Sequence, residues 1–187
     1  MMMLLMGLAL WFATHLFAIW APTQRQSMTE SMGAMGSRIV MAILTIVSVA
    51  LMVMGYQDAG FVEVWTPPAF LVHVNNLLML IAVVFFIAGN VPSVVRRKVR
   101  HPQLAAAKTW ALAHLLVNGD LASIVLFGGI MAWAVLALIG SNKRDGKGPI
   151  DKPATTIGLI LHLVVAVVLF GVITYVHQWA GIWPFPA

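Results

Sequence analysis

The stretch from His101 to Asp120, HPQLAAAKTWALAHLLVNGD, decides how this chain is folded. It sets His114, Asn118 and Asp120 in or beside apolar segments long enough to cross a membrane. Polar groups are expensive at that depth and mark a function by default. Pro102 suits the first position of a helix, so His101 reads as the cap that precedes it. Asn118-Gly119 supplies turn chemistry at the other end. Between them Trp110, His114 and Asn118 recur at i, i+4 and i+8 and share one helical face. Asp120 follows the turn directly, where it serves either as the cap of the next helix or as part of a site.

The rest of the 187 residues gives this stretch its setting. The chain is 61% hydrophobic and only 9% charged, and its mean hydropathy is +0.94. Soluble domains are about one quarter charged, so the composition is that of an all-α, polytopic membrane bundle. No polar stretch is long enough for a second domain, and residues 1–187 read as one. Six apolar segments stand out: Met3–Trp20, Ile39–Gly55, Phe70–Val91, Pro102–Asn118, Leu121–Ile139 and Thr156–His177. The fourth is short for a bilayer core of about 30 Å, and a rival reading fuses it with the fifth to give five spans.

Charge chooses between these readings. The eleven Lys and Arg residues fall in three places: Arg25 and Arg38; Arg96, Arg97, Lys98, Arg100 and Lys108; and Lys143, Arg144, Lys147 and Lys152. The positive-inside rule puts all three on the cytoplasmic side, which requires an even number of crossings between Arg100 and Lys143. Segments four and five then form a hairpin, shallow and re-entrant if Lys108 marks the membrane boundary. Asp58, Glu63 and Asp120 all fall on the far side, and both termini are periplasmic. The net charge of +5 therefore follows topology and does not point to nucleic acid. The N-terminal segment lacks a charged n-region and a small-x-small cleavage site, and reads as a retained helix. Met28, Met32 and Met35 fall at helical spacing in the first inner loop, as an apolar stripe on the membrane surface or, less simply, a soft-metal site. Trp179, Trp183 and Phe185 form an interfacial aromatic belt, with Pro184 and Pro186 ending the last helix.

Histidine is the main chemical resource, and cysteine is absent, which removes thiolate ligands and covalent haem attachment. No HExxH, Walker loop, GxSxG or pair of intramembrane carboxylates occurs. His15 lies near the inner end of segment one and His162 about two turns inside segment six. His73, with Asn76 one turn away, and His177 sit near outer helix ends, where interfacial hydrogen bonding is cheap. A lone intramembrane histidine can simply bond a neighbouring helix, and that reading stays open for His114. Two histidines on separate helices can instead clamp a planar cofactor, and neutral imidazole suits haem iron. By depth His15 is the natural partner of His114, with His162 in reserve.

The elements His101-Pro102-Gln103, Trp110-Ala111-Leu112-Ala113-His114, Asn118-Gly119-Asp120 and Phe127-Gly128-Gly129, together with the context of His15, resemble the NnrU family. Its members are bacterial inner-membrane proteins associated with denitrification and nitric-oxide or nitrite metabolism. That family is similar to plant zeta-carotene isomerase, a membrane enzyme that uses haem b to isomerise a polyene double bond. The resemblance implies haem b held by His15 and His114, with Trp110, Asn118 and His101 around the cofactor. The isomerase has a cysteine three residues before its second axial histidine, whereas this chain has Ala111, so exchange of histidine for thiolate is not available here. A more distant likeness to isoprenylcysteine-type methyltransferases lacks their acidic C-terminal motif.

Three functions follow as expectations. The first is a haem-binding redox protein linked to nitrogen-oxide metabolism. The second is a haem-dependent isomerase or oxidoreductase acting on a hydrophobic, carotenoid-like substrate. The third is a cofactor-free scaffold or assembly factor for respiratory or denitrification membrane proteins. The lipid bilayer is the expected surrounding in each case.

Overall fold

A computed structural model of the chain describes residues 1–91, 93–148 and 155–185. Seven helices follow one another: α1 (Met2–Trp20), α2 (Pro22–Gln57), α3 (Leu71–Ala88), α4 (Val94–Lys98), α5 (Pro102–Val117), α6 (Leu121–Asp145) and α7 (Thr156–Trp179). Helices α1, α2, α3, α6 and α7 are long and apolar enough to cross a membrane. Many of their large hydrophobic residues are exposed, Leu5, Ile46, Leu77, Val135 and Val167 among them. A helix apolar on every side is stable only where lipid replaces water, because its backbone bonds are then satisfied internally. The protein is thus a multi-pass helical membrane protein.

The described residues form two compact units, the first comprising Met1–Val64 and Asp120–Asp145 and the second Trp65–Gly119 and Gly146–Ala187. In the first unit α1 packs against α2 and α6. Small residues let the backbones approach: a Cβ on Gly7 would lie 2.7 Å from the Met52 backbone nitrogen, and one on Gly55 would overlap the Leu4 backbone. Such close approach is the usual source of packing energy between membrane helices. These contacts make α1 antiparallel to the later part of α2. On its other side Leu8 meets Gly129 and Trp20 meets Gly140, so α1 and α6 run parallel. Helix α2 is broken at Gly33, whose φ of 73° and ψ of 160° favour a residue without a side chain. Residues 22–32 therefore form a separate helical arm, in keeping with the helical spacing of the methionines in this connection. Met28, Met32 and Met35 lie on and just beyond it, with Met32 and Met35 exposed.

In the second unit α3 carries both α5 and α7. Helix α5 is antiparallel to α3 and pinned at both ends. Trp65 N–H donates to the Gly119 carbonyl at 3.1 Å, and Gln103 lies against Gly89. At 16 residues α5 is two residues shorter than α3. Five helices thus meet the length expected of a span, and α5 is a shorter sixth leg that returns the chain alongside α3. Parity within the first unit agrees. Helix α6 starts at the end where α2 finishes, with Leu121 N–H donating to Val62 O at 2.8 Å and the Tyr56 and Ser123 hydroxyls 2.9 Å apart. Segments four and five are not one fused helix, since Asn118 is extended at φ −120° and ψ 110°. Helix α6 also runs beyond the expected Ile139 to Asp145, carrying Lys143 and Arg144 in its last turn, where cations complement the helix dipole. Helix α7 ends before Pro184, while Lys152 and Pro186 lie outside the described residues.

Candidate functional site

His15 and His114 occupy the same local device. In each, a tryptophan precedes the histidine by four residues: Trp11 in WFATH and Trp110 in WALAH. Residues at that separation lie one above the other on a helix. His15 Nδ1 lies 3.0 Å from the Trp11 carbonyl, and His114 Nδ1 lies 2.9 Å from that of Trp110. A carbonyl only accepts, so Nδ1 carries the proton and the lone pair falls on Nε2. The tryptophan rings also cover the imidazoles, with centroids 3.8 Å apart and stacked at His15 and 4.8 Å apart and tilted at His114. The repeated Trp-x-x-x-His spacing is visible in the sequence.

The first-unit device includes a residue that sequence reasoning missed. Trp133 of α6 lies edge-on to Trp11 at 5.1 Å and to His15 at 5.4 Å. The indole Nε1 atoms of Trp11 and Trp133 are both buried without a hydrogen-bond partner. Thr14 Oγ1 lies 3.0 Å from His15 Nδ1. The ring thus has its Nδ1 side committed to its own helix and an aromatic wall around it. His15 borders an open cleft of about 500 Å³ between α1 and α2.

In the second unit the Asn118 amide donates to the His114 carbonyl at 2.8 Å, which ends α5 and fixes the turn carrying His114. His177 of α7 donates from Nδ1 to its own i−4 carbonyl, Ile173 O, at 2.8 Å. It lies in the last turn of α7, at the helix end where the sequence placed it. His73 is exposed. Asn76 donates to the Pro184 carbonyl at 2.9 Å and accepts from the buried Asn75 at 3.1 Å, so this polar patch ties the chain after α7 to α3.

His162, the reserve ligand, is committed elsewhere. It is fully buried, with Nε2 2.8 Å from the Val84 carbonyl and Nδ1 2.7 Å from Ser93 Oγ. Val84 O must accept, so Nε2 carries the proton and Nδ1 accepts from the serine hydroxyl. No lone pair is left for a metal, and the residue joins α3, α4 and α7. His101 does occupy the position before Pro102, but its side chain makes no capping bond to α5. Asp120 acts as a cap: Ser123 N–H donates to its Oδ1 at 2.9 Å. Its backbone also forms an isolated antiparallel bridge with Glu63.

No group of three or more His, Cys, Asp or Glu arranged to hold a metal occurs among the described residues. Haem could be held by two imidazoles alone, and the Nδ1-to-carbonyl bond found at both Trp–His devices is the kind of outer support that would orient such an imidazole. The donor chemistry therefore fits the group. Comparison with known proteins gives one result: a family model described as "NnrU protein" matches residues 3–184. No curated protein matches, and neither does any solved structure.

Proposed function

This chain belongs to the NnrU family, and from that premise we propose that it is a haem-b protein of the bacterial cytoplasmic membrane, with a redox role linked to denitrification and nitrogen-oxide metabolism. The observation that carries this reading is the twinned Trp-x-x-x-His device, with the same tautomer at His15 and His114. His15 and His114 would hold the iron, and Trp110 and Asn118 would orient His114. Bound haem supplies a one-electron centre whose potential rises as water is excluded. The chain's own part is to fix two imidazoles by their Nδ1 protons, shield them with indole rings and keep the surroundings apolar. The charge pattern supports cytoplasmic basic ends and periplasmic termini. In the first unit the basic residues Arg25, Lys143 and Arg144 gather at one end, and Glu63 and Asp120 at the other.

Absorption spectroscopy of the detergent-purified protein tests the proposal. A Soret band is expected in the wild type, with at least a tenfold loss of bound haem in both His15→Ala and His114→Ala at unchanged helix content. A band that survives in both variants would overturn the ligand assignment. Loss in His114→Ala and His177→Ala but not in His15→Ala would move the second ligand to α7.

A second reading, a haem-dependent isomerase of a hydrophobic substrate, draws on a wholly apolar cleft of about 500 Å³ bounded by Phe12, Leu16, Phe17, Trp20 and Leu136. It predicts turnover of a polyene by the reduced protein. Filling the cleft with Ala13→Trp would abolish that turnover and leave the Soret band in place.

A further inference from the structure

Arg25 is the most unusual charge in the first unit. It lies on the helical arm of residues 22–32, and its Nη1 donates to Thr29 Oγ1 at 2.7 Å and to the hydroxyl of Ser37. Ser37 has no exposed surface. Thr29 Oγ1 in turn donates to the Arg25 carbonyl at 3.0 Å. The side chain is therefore tied back onto the membrane helix and does not extend to the surface as a snorkelling arginine would. Two hydroxyls do not neutralise a guanidinium. No salt bridge to Arg25 is found among the described residues.

The same guanidinium lines the cleft beside His15, together with Thr14, Ala42, Thr45 and Ile46. No carboxylate lines it. At about 500 Å³ the cleft is within the usual size of a small-molecule site. It combines a fixed cation and hydroxyls at one end with an apolar wall that continues onto the exposed face at Ile46 and Ile43. A partly desolvated cation without a counter-ion favours an anion, and the planar guanidinium suits carboxylate or phosphate oxygens.

We infer that this cleft binds an anionic amphiphile, with Arg25 holding its carboxylate or phosphate and the apolar body lying along α2. The inference does not rest on iron ligation by His15, although the carboxylates of haem belong to the same chemical class.

Native mass spectrometry of the full chain in a neutral detergent tests it with palmitate, phosphatidylglycerol and diacylglycerol as probes. Retention of an anionic probe at least tenfold above the neutral diacylglycerol is expected. Palmitate against phosphatidylglycerol then separates a free carboxylate source from a phospholipid one. Arg25→Gln should remove the preference, Arg25→Lys should restore part of it, and Arg38→Gln should leave it unchanged because Arg38 is outside the cleft. Ala42→Trp fills the cleft with the charge intact, and should displace the probe even if Arg25→Gln fails to fold. Equal retention of all three probes by the wild type would overturn the site. So would an equal loss in Arg38→Gln, or full retention in Ala42→Trp.

Discussion

His15 and His162 lie within apolar helices of one chain, yet their rings are used in opposite ways. At His15 the proton is on Nδ1 and is given to the carbonyl one turn back, so a ligand lone pair is directed away from the helix. At His162 the proton is on Nε2 and is given to another helix, while Nδ1 receives the Ser93 hydroxyl. One imidazole spends only its Nδ1 side, on its own helix; the other is used up in joining three elements. The tautomer, which packing sets, is what separates a candidate ligand from a strut. A histidine in a membrane segment therefore marks chemistry only when one of its nitrogens is left for it.

The largest effect expected from this difference is on stability. His162→Ala leaves the Ser93 hydroxyl and the Val84 carbonyl facing a cavity, and should cost about 2–3 kcal/mol while leaving any haem spectrum intact. His15→Ala breaks hydrogen bonds only within its own helix, besides the ring contacts to Trp11 and Trp133, and should cost about 1 kcal/mol. Unfolding in mixed detergent micelles measures both, and equal costs would erase the distinction. Ser93→Ala should fall between them at about 1–2 kcal/mol, because it removes the donor to His162 and the acceptor for Arg96 N–H but leaves the Val84 bond. Asp120→Ala should cost about 1 kcal/mol through loss of the α6 cap, and Asp120→Asn much less, since asparagine caps equally well. A loss of bound haem in Asp120→Asn would return that residue from the scaffold to the site.

Much of the fold was legible in the order of residues. The apolar lengths placed the spans, and the expected starts at Pro102, Leu121 and Thr156 coincide with those of α5, α6 and α7. Charge parity called for a return leg between Arg100 and Lys143, and α5 is that leg. The helical spacing of Met28, Met32 and Met35 in the first inner connection fits the helical arm of residues 22–32, but nothing in it marked the turn at Gly33. Pattern alone could not show that turn. The site was half visible. Trp110, His114 and Asn118 shared a face by spacing, and Asp120 was readable as a cap.

What the sequence determined by itself is therefore the medium, the helical class and the local face shared by Trp110 and His114. These rest on hydrophobic length, charge asymmetry and i, i+4 geometry, all of which act along the chain. Tertiary structure alone decided that His162 spends both nitrogens on other elements, that Trp133 walls His15, and that Arg25 turns into a cleft. Each of these depends on contacts that form only once the chain has folded back on itself. No periodicity in the sequence records such partners, because in an all-apolar helix every face looks alike until packing chooses one.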